Sequence, residues 1–508
     1  MNSMNETMAG INQHEVFDKV CEMMQFVQDA YREGRAVHQV EQGLWYRLLE
    51  MGHCVLEAFF GLCGDGDRGE RIRLPDGREV RRLAQPHGRA YQSVFGAFEL
   101  ERRVYGTREG QQIDYVPLDE RLQLPPSKFS YLLQDWDQSL EVEMPYAQVS
   151  ATLERILGFR QSVHSLERSQ REAAREVEAF WQEQPPPPPG EEGPLLVCSA
   201  DGKGVPMRQP SAGSAGPEPA QKGPRPGSKK MALLGAVYTI APLVRTPQEV
   251  LEALFREPGP TRAKPLATRP KPCFKRVRAA LERDEADTTE PQTRIIFSWM
   301  AREVAQRNRA GDKPVLLLMD GQETLWDAGW EFLPDLELIE ILDLLHAIAY
   351  LWEAAHLFHP KASRAASRWV KKQLQRMLNG RITTVIRSLR WQATRHQLKA
   401  KRRDDLERIC NYFANNSHRM AYDRYLAQGF PIASGVIEGA CRCVVKDRME
   451  RSGMRWVLNG AQAMLGLRSI HLSGLWEEFT QFRIQRECQR LYPYSAANED
   501  HFALPIAA

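Results

Sequence analysis

Apolar residues recur along this chain with two different periods, and the switches between them outline its elements. From about residue 14 to residue 60 the spacing is helical: Val16, Val20, Met23, Met24 and Val27, then Leu44, Leu48, Leu49, Val55 and Phe59, lie three, four or seven positions apart. This N-terminal helical region, 1–60, is either a pairing surface for a second chain or part of a core. After a Gly/Asp-rich break the pattern changes to alternation. The stretch RIRLPDGREVRRL carries the turn signal Pro75-Asp76-Gly77 between two short runs, and YQSVFGAFELERRVYG is rich in aromatic and β-branched residues. A β-rich unit is therefore predicted over 61–129. Helical spacing returns over 130–184, where YAQVSATLERILG ends on Gly158 and a second helix, opened by Ser162, runs to Trp181. Two helices joined by a short turn fit a helix-turn-helix reader of DNA, or a helical hairpin that binds nothing.

Five consecutive prolines, Pro185 to Pro189, exclude helix and central strand and predict a stiff linker over 185–193. Beyond it lie short continuous apolar runs of the kind found in strands buried on both faces. Leu195–Ala200 ends on Asp201, a strand-like MALLGAVYTIAPLV follows the Pro/Gly/Ser-rich loop 209–228, and Val315–Met319 ends on Asp320. Another apolar run ends on Asp343, three residues before His346, and a helical pattern continues from there. These segments predict an α/β unit over 194–360. Helical spacing then fills 361–429, Ser434-Gly435 opens a helix carrying Glu438 within 430–475, and a terminal helix and tail occupy 476–508. The fold class expected is α/β, preceded by a mostly helical N-terminal region with a small β-unit.

A length of 508 residues calls for several domains. Nine cysteines, an odd number without zinc spacing, predict reduced thiols rather than a disulfide framework. No apolar run of membrane-spanning length occurs and the first residues lack the layout of a signal peptide, so a cytoplasmic, nucleoid-associated protein with no membrane partner is expected. The net charge of +3 says little, but its distribution says more. Ten arginines fall between Arg68 and Arg108, and 361–403 holds 14 Lys or Arg with no Asp or Glu. A face of one sign that large points to a polyanion, with Arg387, Arg390, Arg395 and Lys399 as candidate phosphate contacts. Lys203 and Lys230, close to the first acid, are further candidates, with a solvated lysine as the alternative for each.

Asp201, Asp320 and Glu438 form the candidate catalytic set. Two strand-end carboxylates and a third from a packed helix repel one another unless a cation neutralises them, and Mg2+ or Mn2+ suits oxygen ligands. Two such ions about 3.5–4 Å apart activate a nucleophile and stabilise a leaving oxygen in phosphodiester chemistry. Taken alone, Asp320 and Asp343 read equally well as turn or N-cap residues.

The contexts of these acids carry a resemblance. Asp201 in VCSADGKGVPM, Asp320 in LLLMDGQETLW, Asp343 and His346 as DxxH, and Glu438 in PIASGVIEGACR together resemble a DDE transposase, with a DxxH pair like that of the Mutator-like group. KKMALLGAVYTIAPLVRTPQEV, YDRYLAQGFPIASGVIEGACR and VKDRMERSGMRW are most similar to bacterial insertion-sequence transposases of the ISKra family. The resemblance spans roughly residues 90–475. It implies an RNase H-like mixed sheet with an all-helical insertion, here 361–429, before the third acid. It also implies two Mg2+ (or Mn2+) ions on Asp201, Asp320 and Glu438, with Asp343 and His346 in support. The activity implied is cleavage at the ends of an insertion sequence followed by attack of the freed 3′-hydroxyl on target DNA. The partners implied are double-stranded DNA and at least a second copy of the chain. An inactive or domesticated copy acting as a DNA-binding regulator, and a nuclease without strand transfer, are the competing expectations.

Overall fold

The first helical pattern folds as two helices, α1 (Gln13–Arg32) and α2 (Val37–Cys63), that pack on each other. In this computed structural model residues 13–107, 113–208, 229–255, 269–285, 288–334 and 336–495 are described. The predicted loop 209–228 lies outside them. The chain divides into two compact units, one of residues 1–180 with 476–508 and the other of residues 181–475. The C-terminal helix Trp476–Leu491 thus belongs with the N-terminal unit, and the proline run lies just inside the second.

In the first unit β1 (Arg71–Arg73) and β2 (Glu79–Arg82) form the hairpin signalled by Pro75-Asp76-Gly77, and β5 (Tyr105–Gly106) pairs with β2. A second antiparallel hairpin joins β3 (His87–Ser93) to β4 (Gly96–Arg102). Helix α2 seats its inner face on that hairpin, with the His53 ring stacked 4.2 Å from Phe98 and Phe60 edge-on to it at 5.2 Å. Six of the ten arginines of this segment are engaged within the unit. Arg71, Arg78, Arg82, Arg89, Arg102 and Arg103 each pair with a carboxylate of the same unit; Asp119, supplied by the short helix α3 (Pro117–Leu122), takes both Arg89 and Arg102. Asp76 and Glu79 lie within the run, Asp65 and Asp67 just before it, and Asp119 beyond it.

Helices α4 (Tyr131–Glu141), α5 (Tyr146–Leu157) and α6 (Val163–Ala173) complete this unit around Leu133, Val149, Leu153 and Leu166. Gly158 ends α5 at φ 78°, a backbone region that favours glycine, and the Ser162 hydroxyl accepts the Ser165 N–H at 3.2 Å to start α6. The C-terminal helix closes on α4: the Trp476 indole donates to Asp135 at 2.9 Å and Arg483 to Gln134 at 3.1 Å.

The second unit is built on a five-stranded mixed sheet. Its strands are β6 (Leu195–Pro206), β7 (Lys229–Ile240), β8 (Cys273–Ala280), β11 (Val315–Met319) and β12 (Leu338–Leu342), in the spatial order β12-β11-β6-β7-β8. The small hairpin β9 (Arg283–Glu285) and β10 (Thr288–Glu290) lies outside this sheet. Strands β6, β7 and β8 are antiparallel neighbours, whereas β11 runs parallel to β6 and β12 parallel to β11. All five residues of β11 are buried, as a strand covered on both faces requires. Helix α7 (Pro247–Phe255) packs through Val250 and Leu251 on the face that carries Leu195, Val197, Leu316 and Leu318. On the other side of the sheet α8 (Gln292–Arg307) comes so close that a β-carbon at Gly235 would lie 2.6 Å from Ile296, and α9 (Glu323–Phe332) brings Gly329 against Leu317.

The basic helical stretch is not a separate body. Helices α10 (Leu344–Phe358), α11 (Arg364–Leu378), α12 (Ile382–Arg395), α13 (Ala400–Asn415) and α14 (Tyr422–Ala427) bury Val370, Leu374, Met377, Leu389, Ile409 and Phe413 in the same apolar core as the Leu316 face of the sheet. The chain then returns to the sheet through α15 (Gly435–Ala440), continues in π-helical form over Cys441–Lys446, and ends the unit with α16 (Leu458–Leu472), which packs on β8.

Candidate active site

The register of the three parallel strands sets the site. Met319, the last residue of β11, pairs with Leu342, the last of β12, so Asp320 and Asp343 leave the sheet side by side, and the Asp343 N–H donates to the Met319 carbonyl at 2.8 Å. Strand β6 behaves differently from the sequence expectation. It does not end at Asp201 but runs on to Pro206, because β7 keeps supplying a pairing partner as far as Lys229. Parallel pairing with β11 covers Leu196–Cys198, so Asp201 sits on the part of β6 that extends past β11, paired with Leu234 on the other side. Asp201 is thus a mid-strand residue placed beside the end of β11.

Helix α15 adds Glu438. Its approach is fixed by the Leu344 N–H donating to the Ile432 carbonyl at 2.9 Å and by the Ser434 hydroxyl, which donates to Oδ2 of Asp343. The Cys441 thiol, one turn beyond Glu438, donates to Oδ2 of Asp201 at 3.3 Å. Asp343 is fully buried and is also the N-cap of α10, accepting the Leu345 N–H at 2.7 Å; one turn on, His346 brings Nδ1 to 3.5 Å from Oδ2 of the same carboxylate. The capping role and the proposed supporting role therefore fall on different oxygens of one side chain.

The charges act on one another. Asp320 is raised above the usual carboxylate range by burial and by Asp201 and Asp343, against the pull of the Gln322 N–H and of His346. Glu438 is raised by burial, by Asp343 and by Asp201. The Asp343 carboxylate, with Asp320 and Asp201 behind it, lifts His346 to about 9. That is the electrostatic signature of acids gathered faster than positive charge can match them.

Among the described residues, the three side chains whose ligand atoms all lie within 4.8 Å of one another are Asp343, His346 and Glu438. The expected trio of Asp201, Asp320 and Glu438 does not close to that distance. Asp320 turns Oδ1 to the Gln322 N–H at 3.0 Å, and Asp201 is held by Cys441. Nδ1 of His346 is buried and faces Oδ2 of Asp343 at 3.5 Å, without a hydrogen bond of good geometry, and that carboxylate favours the charged ring. Two carboxylates and an imidazole suit Mn2+ at least as well as Mg2+.

One neighbour of the site left no signal in the sequence. Tyr412, from α13, stacks on Tyr350 with ring centroids 3.9 Å apart and covers Gly321 so closely that a β-carbon there would lie 2.2 Å from its ring. Burial pushes the Tyr412 hydroxyl upward, and Tyr350, Asp320 and Asp343 add to the shift. Trp391 is exposed on α12, with the Arg395 guanidinium 5.0 Å from its ring centroid. Trp326, by contrast, is core, with Arg419 over its face at 4.1 Å.

The candidate phosphate contacts are distributed. Arg387, Arg390, Arg395 and Lys399 are all exposed on or next to α12, but Arg390 is engaged by Glu407, its Nε donating at 3.2 Å. Lys203 stands on β6 two residues past Asp201, where its charge opposes the upward shift of Cys441. Lys230 lies 3.5 Å from Glu282 and is less available to a ligand.

No family model matches this sequence, and no curated protein compared with it is similar. The nine cysteines are all free thiols, and no helix among the described residues is long and apolar enough to cross a membrane.

Proposed function

We propose that this chain is a DDE-type transposase of an insertion sequence, with an RNase H-like core that cleaves element ends and joins the freed 3′-hydroxyl to target DNA. The observation that carries the reading is the convergence of Asp201, Asp320, Asp343, His346 and Glu438, drawn from four separate stretches of chain, on one end of a mixed sheet. A helical insertion between the second and third acids, basic on its exposed side, accords with the same reading.

Bound divalent ions, Mg2+ or Mn2+, would supply a polarised water and charge neutralisation at the phosphate. Asp201, Asp320 and Glu438 would hold them, with the Asp343–His346–Glu438 cluster marking where the donors already stand closest. Ser434 and the N-cap bond keep Asp343 fixed, and Asp343 in turn aims the His346 ring. Cys441 fixes the rotamer of Asp201.

The test is a DNA substrate carrying the sequences that flank the gene, incubated with purified protein and Mg2+. Metal-dependent cleavage at the repeat ends followed by joining to a second duplex is expected. Cleavage without joining would reduce the protein to a nuclease, and binding without cleavage would make it a DNA-binding regulator.

The basic face gives a separate prediction. Neutralising Arg387, Arg390, Arg395 and Lys399 together is expected to lower the slope of log Kd against log salt by about 3, at close to one per phosphate contact. The reduction is set below four because Glu407 already occupies Arg390. An unchanged slope in a salt titration would return this face to solvent.

A further inference from the structure

Each aspartate of the site meets a hydrogen-bond donor, but the donors differ in kind. Asp343 receives the Ser434 hydroxyl and Asp201 the Cys441 thiol, both side chains delivered with the α15 segment. Asp320 receives a backbone group of its own turn, the Gln322 N–H at 3.0 Å. Carboxylates that hold a metal are themselves held by outer donors that fix their direction. Among the described residues, the central acid thus lacks the side-chain donor that its two neighbours have.

A donor without an acceptor stands on the same turn. The Tyr412 ring lies so close to Gly321 that a β-carbon there would also be 2.7 Å from the hydroxyl oxygen. That oxygen is shut off from solvent and has no hydrogen bond of good geometry. The Gly321 N–H bears on it but can only donate, so the hydroxyl's own proton is unmatched among the described residues. Neighbouring rings hold Tyr412 in place: Tyr350 stacks on it at 3.9 Å, 22° from parallel, and Phe413 lies 5.8 Å away. Leaving a buried hydroxyl unpaired costs stability that phenylalanine, with the same ring, would not. Packing alone therefore favours phenylalanine at 412, and the hydroxyl needs a use that packing does not supply.

We propose that Tyr412 is a positioning residue for Asp320, its hydroxyl donating to that carboxylate when a divalent ion draws it away from the Gln322 N–H. Asp320 is the acceptor that fits, because it directly precedes the glycine on which the hydroxyl sits. The other acid whose charge acts on the phenol, Asp343, has both oxygens engaged already, one by the Leu345 N–H and one by Ser434. Tyr412 would then do for Asp320 what Ser434 and Cys441 do for the other two. The inference deepens the proposed function and rests on its metal site.

Mn2+ titration of the purified full chain without DNA, read by the electron paramagnetic resonance of the free ion, tests it. Tyr412→Phe is expected to raise the Mn2+ Kd by about tenfold or more, with a metal-free melting temperature equal to or above the parent's. Tyr350→Phe, which removes a hydroxyl from the other ring of the stack, is expected to bind Mn2+ like the parent. A Tyr412→Phe protein that binds Mn2+ as tightly as the parent would overturn the proposal and leave the metal site standing. One that melts lower than the parent without metal would overturn it too, since the hydroxyl would then be serving the fold. A parent chain that binds no Mn2+ would instead remove the metal site, the proposed function and this role together.

Discussion

Asp320→Asn is expected to abolish metal-dependent DNA cleavage, by about 10³-fold or more, while leaving the protein folded and able to bind DNA. A loss of that size corresponds to about 4 kcal/mol of transition-state stabilisation. The substitution is discriminating because of what Asp320 does locally. Its Oδ1 accepts the Gln322 N–H at 3.0 Å, a bond that the amide oxygen of asparagine reproduces, so the turn after β11 is kept. What disappears is a negative charge that burial and two neighbouring carboxylates already make costly. Removing it relieves repulsion, so the folded protein should be no less stable than the parent. Cleavage assays with Mg2+ and with Mn2+, alongside thermal melts, separate the two effects. Retained cleavage in both metals would remove Asp320 from the chemistry and with it the proposed function.

A second large effect lies far from those acids in sequence and concerns stability. Asp137, in the middle of α4, is fully buried, and burial raises its carboxyl from 3.8 to about 7 even with the Gln161 amide favouring the charged form. Between about pH 4 and pH 7 the unfolded chain has released a proton that the folded chain still holds. Folding stability therefore falls as pH rises through that window and levels off above it, with a cost of about 4 kcal/mol at pH 8. Asp137→Asn, which carries no charge at any pH, is expected to recover 2–4 kcal/mol or so of this at pH 8 and almost none at pH 4. Denaturant unfolding of the two proteins from pH 4 to pH 8 checks it: the difference between the curves should grow with pH, and parallel curves would mean that Asp137 ionises freely.

Much of the candidate site was legible because it is carried by short-range patterns. A run of five apolar residues followed by Asp-Gly identifies β11 and its terminal acid, and Ser434-Gly435 correctly announces the helix that bears Glu438. The hairpin at Pro75-Asp76-Gly77 and the cap at Ser162 were equally plain, since turn and cap chemistry is local. What the sequence hid depends on partners remote along the chain. Asp201 looks like a strand end because apolar residues stop there, but β7 continues to pair with β6 and the strand goes on. The arginine-rich segment 68–108 looks like a polyanion surface until Asp65, Asp67 and Asp119 fold onto it. The C-terminal helix could not be assigned to the first unit by composition, because the bonds of Trp476 and Arg483 cross more than 340 residues.

The hydrogen bond between Cys441 and Asp201 spans 240 residues of chain, and the third acid arrives with the same late segment. This has a consequence for the protein during its own synthesis. A ribosome that has finished all five strands of the sheet has still to deliver α10–α14 and then Glu438. Nascent chains, and fragments that terminate before residue 438, carry a basic surface without a complete set of acids. Under the proposed function, such shortened products would compete for the same DNA as the full chain without acting on it, so the order of the elements along the gene would build an antagonist into interrupted rounds of translation.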